Sequence, residues 1–458
     1  MKDLSKGPVG GLIISMSAPI MIGMLVQTLY YMVDLYFVGK LGDTALAGVS
    51  AAGNLMLIVM ALTQMLSVGA VSLIATAVGA QQQERANHLF NQSMLMGIAG
   101  MLLTLVFGYA IATPYLQAVG ADHATQEAGL AYLYCYLPGL ALQFILNALG
   151  AGLRGVGIVK PTMLIQLLTV LINILLAPIL IAGWGTGLPL GVAGAGLAST
   201  IAILIGLGAT VVYFRRTEHY IRIVPNALRP EWRSIRSMLA IGFPAGAEFA
   251  CMFLFMAVVY KVVSHFGSHA MAGFGVGARI TQALCMPAMA IGFAVPALAG
   301  QNIGAGHIAR VREIMVSSFP LVSVVMVIAL LVCKAFPEFL VACFVQDAET
   351  SKVAVEYLSL ISWNFVATGL VFTASGFFQA FGNTWPSLLS TVLRIATFAI
   401  PALLLSTGPQ FAIVDVWYLS IATVAFQAIL SLWLLRREWF ITRNRMQTAS
   451  ALSAQITA

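Results

Sequence analysis

Asp34 has the clearest capacity for chemistry in this chain, because it is a carboxylic acid set inside an apolar stretch. An acid at the middle of a hydrophobic span costs on the order of 2.5–3.5 kcal/mol on insertion scales, so such groups mark places where a proton, a cation or a ligand is handled. Gln27, Tyr30 or Tyr31, and Asp34 recur at spacings of three, four and seven, which gathers them on one side of a helix. A plainer reading also stands: the segment's outer end reaches the polar interface and Asp34 is simply solvated there.

Other polar residues in apolar segments extend the set. Gln143 and Asn147 lie one helical turn apart, and Gln166, Thr169 and Asn173 again share one face. Each amide by itself equally suits hydrogen-bonded packing between helices. Glu248, one turn after Pro244, is either a second titrating group or an acid near a cytoplasmic mouth. Trp363 and Asn364 are candidates to line a cleft, against the ordinary packing role of an aromatic in a membrane helix. Arg279 and Arg394 also fall within apolar segments and must find carbonyls, acids or water there, a structural role.

Enzymatic chemistry has no support. There is no His-Glu-x-x-His, no phosphate-binding Gly-x-x-x-x-Gly-Lys-Ser/Thr, no Gly-x-Ser-x-Gly and no intramembrane histidine cluster. The five cysteines are scattered and mostly in apolar segments, which indicates small packing residues and no disulfide or metal framework. No cofactor or bound metal is expected.

The segments that position these residues follow from composition. With 60% hydrophobic residues, 9% charged residues and a mean hydropathy of +0.94, the chain cannot cover a globule with a water-compatible surface. Crossing about 30 Å of hydrocarbon takes roughly 20 apolar residues in a helix. Twelve such segments run near 12–37, 46–77, 91–113, 128–150, 162–182, 193–214, 238–263, 271–299, 314–336, 353–380, 387–407 and 414–435. The first is too long for a signal-peptide core and has no small-residue cleavage site, so it is read as a span.

Charge sorts the connecting loops. Of 23 Lys and Arg, 17 fall on one side, including Lys2, Arg85, Arg154, the cluster from Arg215 to Arg236, and Arg436 to Arg445. The positive-inside rule puts that side, and both termini, in the cytoplasm. The net charge of +7 therefore expresses topology, and no nucleic-acid partner is expected.

The chain also matches itself at an offset of 225. Pro19 pairs with Pro244, Gly42 with Gly267, Gly48 with Gly273, Gly79 with Gly304 and Pro161 with Pro386. Two copies of a six-span unit enter the membrane in the same direction, related by an axis along its normal. The expected fold is all-α and polytopic, with twelve transmembrane helices in two pseudo-symmetric six-helix lobes. Residues 1–214 form the first lobe, 215–237 a cytoplasmic linker, 238–440 the second lobe and 441–458 a cytoplasmic tail, disordered after Arg445. The copies differ where the chemistry lies, since Asp34 pairs with Val259 and Asn173 with Phe398.

Several motifs, in order and largely duplicated, carry a family resemblance. They are Ala18-Pro19, the run from Val33 to Gly42 with Ala45-Leu46-Ala47-Gly48, Arg154-Gly155-x-Gly157 with Pro161, and the run from Gly191 to Gly196. Over nearly the whole chain they resemble the multidrug and toxic compound extrusion (MATE) transporters. The resemblance implies alternating access, and export of amphipathic cationic drugs or metabolites across the inner (plasma) membrane in exchange for protons or sodium ions. In the DinF-type branch, an acid in helix one and an Asn in helix five, followed four residues later by Asp, form a first-lobe pocket. Asp34 and Asn173 match the first two, Gln27, Tyr30, Gln143 and Asn147 fall at pocket-like positions, and Ala177 replaces the helix-five acid. In the NorM-type branch, a helix-seven Glu and a helix-ten Asp form a second-lobe site. Glu248 stands about one turn early for that role, and the tenth span from Tyr357 to Ala380 holds no acid. The chain is thus more similar to the DinF-type branch.

The expected partners are small-molecule substrates and membrane lipid, and a monomer is expected. The nearest rival function is a flippase for a lipid-linked precursor, which needs more cleft cations than Arg279, Arg394 and Arg154 supply. A channel or scaffold leaves the duplicated unit and one-sided polar stripes without a use.

Overall fold

The computed structural model describes residues 3–118, 122–184, 187, 189–217, 220–224, 229–345, 347–406 and 411–457. The side chains of Tyr31, Asn54 and residues 449–457 lie outside the described residues, and so does the expectation for Tyr31.

The first half forms α1 (Val9–Gly39), α2 (Asp43–Gly79), α3 (Gln83–Ala118), α4 (His123–Gly155), α5 (Lys160–Ala182) and α6 (Gly191–Arg216). The second half forms α7 (Trp232–Val263), α8 (Ser268–Gly304), α9 (Ile308–Ala335), α10 (Pro337–Ala342), α11 (Ala348–Ile361), α12 (Asn364–Ala380), α13 (Trp385–Leu405) and α14 (Ile413–Thr457). Among the described residues, eleven helices are long and apolar enough to cross a membrane, and α11 with α12, bent by 59° at their break, brings the number to twelve where the pair is taken as one span. Most helices outrun the apolar windows, because backbone hydrogen bonding continues into polar turns beyond the hydrocarbon.

Three expectations need correction. The tenth span is not one straight helix but is broken at Ser362-Trp363, with the Trp363 N–H turning to Leu360 O at 3.2 Å. A short helix, α10, precedes it in a stretch read as loop. The end of the chain is helical: α14 continues through Thr457, and its last segment includes Ala449, Ala451, Ala454, Gln447 and Gln455, residues that favour helix.

Glycines shared by the two copies explain part of the repeat. Gly42 and Gly267 precede α2 and α8 with φ of 113° and 96°, and Gly157 and Gly382 follow α4 and α12 with φ of 80° and 75°. A side chain is strained at those angles, so both copies keep glycine.

Contacts divide the chain into two compact units, Met1–Asp3 with Ile22–Gly246, and Leu4–Met21 with Ala247–Ala458. The division does not follow the linker but cuts inside α1 and α7, at Met21/Ile22 and Gly246/Ala247, points that are themselves 225 residues apart. In the first unit, α4 packs on α2, α3 and α6, and α5 packs on α6. The leading part of α7 joins this unit through close approach to α2: a Cβ on Gly242 would run into Met65 O, and one on Gly246 would stand 2.8 Å from Met65 Cβ. In the second unit, α8 packs on α9, α11 and α12, and α14 packs on α12 and α13.

Polar straps close each unit. Asn91 on α3 donates to Arg222 O at 2.9 Å and accepts from the Val224 N–H at 2.9 Å, while Gln92 donates to Arg229 O at 2.7 Å. These amides hold the inter-repeat linker to α3, as strand pairing would. Where the linker ends, the Ser234 hydroxyl and then His88 hold the Glu231 carboxyl below its usual range. In the second unit, the Leu4 N–H donates to Gln301 Oε1 at 3.1 Å and Asn302 donates to Leu4 O at 3.3 Å.

Candidate functional site

Asp34 lies in the last quarter of α1 and is only 4% exposed, so it is buried in protein and not solvated at an interface. Its Oδ2 accepts from the Tyr132 hydroxyl of α4 at 3.3 Å. Its Oδ1 is buried with no hydrogen-bond partner. A buried carboxylate with one unsatisfied oxygen pays much of its desolvation cost without compensation, and it gains by taking a proton, a donor or a cation.

Beside it, α5 presents Asn173, whose Nδ2 lies 3.2 Å from Ser199 Oγ on α6 and 3.5 Å from the Tyr30 hydroxyl on α1. Asn173 Oδ1 is a second buried acceptor without a partner. Tyr132 and Tyr136 lie one turn apart on α4 with their rings tilted by 33°, ring centroids 5.3 Å apart, in a core that includes Ala177 and Ala195. Ala177, at the position of the absent helix-five acid, is fully buried there and adds no polar atom. Four helices thus assemble one acid, one amide and several hydroxyls around two oxygens in need of donors or a cation.

Other predicted residues are placed apart from this cluster. Gln27, exposed and one turn earlier than Tyr30, accepts from Gln166 Nε2 at 3.3 Å, so these two amides form a separate pair on α1 and α5. Asn147 turns its amide back to Gln143 O at 2.9 Å, and Thr169 does the same to Ile165 O at 2.9 Å. Tyr132 and Ser199 were not singled out from sequence. Tyr132 lies among leucines and tyrosines of α4, and only the adjacency of α1 and α4 gives its hydroxyl a role.

In the second unit, Glu248 is 9% exposed, and its Oε2 accepts from the hydroxyls of Ser375 on α12 and Ser387 on α13 at 3.1 and 2.8 Å. Those serines were also missed, since Ser is common in membrane helices as packing glue. The repeat pairs Glu248 with Gly23, where a Cβ would stand 2.6 Å from Gln166 Oε1. The same point of the fold therefore holds an acid in one unit and a neutral amide from a neighbouring helix in the other. Asn364 is buried and donates to Ser420 Oγ at 3.4 Å. Trp363 is 58% exposed, with the Lys334 ammonium 5.1 Å from its ring centroid. Among the described residues, no three His, Cys, Asp or Glu side chains come together as a metal site would require.

The MatE family model matches residues 19–179 and again 244–404, two copies whose ends are both offset by 225. The chain belongs to the MatE family. Members of that family are transporters rather than enzymes. This MatE-family chain is 28% identical over 457 residues to the probable multidrug resistance protein NorM of Thermotoga maritima, covering 95% of each. It is 26% identical over 448 residues to the multidrug export protein MepA of Staphylococcus aureus, covering 95% of this chain and 97% of that one. It is also similar, at 23% over 407 residues and with 88% and 89% covered, to a FAD transporter of Shewanella oneidensis. Among solved structures, a MATE protein in a bent conformation superposes with a TM-score of 0.90 at 23% identity, covering 97% of this MatE-family chain and 98% of the other. A MOP superfamily transporter from Pyrococcus furiosus superposes at 0.89 and 23%, covering 96% and 98%. These likenesses give the fold: an all-helical, multi-pass membrane protein of two lobes.

Proposed function

We propose that this chain is a cation-coupled antiporter that exports amphipathic, cationic compounds across the inner (plasma) membrane by alternating access, with Asp34 as its coupling group. The reading rests on one observation: the first unit's buried acid has one oxygen held by Tyr132 and the other free to accept. It draws support from the multidrug-export descriptions of two similar proteins. The descriptions of similar proteins differ in cargo, which is why the cargo class is part of the proposal.

Exporting a monovalent cation against an inside-negative potential costs about 2.3 kcal/mol per 100 mV, so a coupled ion is required. In the proposed cycle, Asp34 takes a proton from the outside. The protonated carboxyl no longer attracts a cation, and its new O–H meets an acceptor, so cargo is released. Facing inward, Asp34 loses the proton and the ionised site rebinds cargo. Glu248, held by two hydroxyls, is the second titrating group. Gln27, Tyr30, Gln143, Asn147 and the second-lobe pair Trp363 and Asn364 contact cargo. Both termini are cytoplasmic, the protein works as a monomer, and the polar first unit follows the DinF-type pattern.

A sodium-driven cycle is a second reading, favoured by the two unpartnered oxygens, Asp34 Oδ1 and Asn173 Oδ1, which are ligands for a hard cation. Ethidium efflux from everted vesicles, under separate proton and sodium gradients, tests both. Asp34→Asn is expected to lower coupled efflux at least tenfold with normal membrane insertion, and Glu248→Gln to lower it less. Wild-type rates from Asp34→Asn would overturn the proposal. Loss of efflux on removing sodium at fixed pH would select the sodium cycle.

A further inference from the structure

The second unit carries its own cavity at the positions the repeat pairs with the Asp34 site. Phe255 stands for Tyr30, Val259 for Asp34, Tyr357 for Tyr132 and Phe398 for Asn173. These four, with Trp417 and Ser420, line a space of about 40 Å³. The Phe255 and Phe398 rings meet edge to face, centroids 4.9 Å apart, and Tyr357 and Trp417 meet likewise at 4.8 Å.

Its unsatisfied groups are opposite in kind to those of the Asp34 site. There, Asp34 Oδ1 and Asn173 Oδ1 are orphan acceptors; here, Trp417 Nε1–H and the neighbouring Arg394 Nε–H are orphan donors. Trp417 lines the cavity, is 1% exposed, and its buried Nε1–H has no acceptor. Arg394, where the first copy has Thr169, puts its guanidinium 4.3 Å from the Phe255 ring centroid on the cavity wall. The Arg394 Nε–H is buried without an acceptor, and among the described residues its Nη1 donates to the neutral Gln427 Oε1, at 3.4 Å. Gln427 is fixed in turn by donating to Thr391 Oγ1 at 3.1 Å. Among the described residues, no carboxylate lies within ion-pair distance of Arg394.

A guanidinium is a planar fork of donors matched to a carboxylate, and one held in a low-dielectric site without a counter-anion is poised to take one. Aromatic walls favour a flat ring. We propose that the second unit binds an aromatic carboxylate, its ring among Phe255, Tyr357, Phe398 and Trp417 and its carboxylate on Arg394 and the Trp417 N–H. At about 40 Å³ the cavity is smaller than an aromatic ring, so this binding requires Phe255 or Phe398 to turn aside. Arg394 is thus a binding residue and not only a packing one. The site is independent of Asp34 and of the cation-export reading, so either idea can fail alone.

The test is calorimetric titration of benzoate, with the neutral isostere benzamide alongside, into the purified full chain in lipid nanodiscs. Benzoate is expected to bind one per chain and at least tenfold tighter than benzamide. Gln427→Glu keeps the size of the side chain and places a carboxylate on Arg394. It is expected to raise the melting temperature and weaken benzoate at least tenfold. Trp417→Phe is expected to weaken benzoate about threefold. The proposal is overturned if wild type binds benzoate no better than benzamide, or if Gln427→Glu binds benzoate as wild type does.

Discussion

Tyr132 shows how a single hydroxyl sets the character of Asp34. It is the one hydrogen-bond donor to that carboxylate among the described residues, and a hydrogen bond to a charged group contributes about 1.5–3 kcal/mol. Tyr132→Phe removes that support without changing the ring's packing. Efflux of a cationic dye is therefore expected to fall about tenfold, short of the loss from Asp34→Asn, while the melting temperature changes little. Unchanged efflux would show that the acid is held by something else. Asp34 itself was legible in the sequence, because a carboxylate in an apolar run stands out by composition. Tyr132, Ser199, Ser375 and Ser387 were not, because hydroxyls are ordinary in membrane helices and become partners only when another helix brings a charge to them. Asn147 shows the converse: helical spacing put it on a stripe with Gln143, yet its amide is spent on its own helix.

The order of the apolar spans was readable from hydropathy, whereas the short helix α10 and the helix ends and breaks were not. A hydropathy window marks where lipid covers a helix, not where its hydrogen bonds stop. The break between α11 and α12 falls at Ser362-Trp363, with no proline or glycine to announce it. Glycine's role at this scale also depends on neighbours. Gly242 on α7 faces the Met65 carbonyl so closely that a Cβ must displace backbone, whereas Gly208 on α6 has nothing within 4 Å of such a carbon. Gly242→Ala is expected to destabilise the protein by about 1–3 kcal/mol through overpacking. Gly208→Ala is expected to be neutral or stabilising by up to about 1 kcal/mol, as in any exposed helix. Thermal unfolding of the two variants in the same detergent lowers the melting temperature for Gly242→Ala but not for Gly208→Ala if α7 packs on α2 as described, and gives equal shifts if it does not.

At the scale of the whole molecule, the two compact units exchange the leading halves of their first helices at points one repeat apart. The N-terminal segment belongs to the second unit, where Gln301 and Asn302 of α8 hold Leu4 by both backbone groups. Asn302→Ala leaves Leu4 O unpaired at a cost of about 1–2 kcal/mol, so hydrogen exchange at residues 3–8 is expected to quicken about tenfold. Exchange in α2 to α6 is expected to stay at the wild-type rate; faster exchange there as well would mean that the N-terminal segment does not belong to the second unit. The sequence by itself determined the membrane setting, the set of apolar spans, the duplication and the acid inside the first copy's apolar segments, since each is a property of composition along the chain. Only the tertiary structure decided which residues meet. Asp34 and Tyr132 are 98 positions apart, and the orphan acceptors Asp34 Oδ1 and Asn173 Oδ1 and the orphan donors of Arg394 and Trp417 are defined by neighbours from several helices. The physical reason is the solvent. Lipid is as apolar as the protein interior, so beyond its few polar positions a membrane helix gives no sign of which apolar face turns inward, and that choice is made by packing.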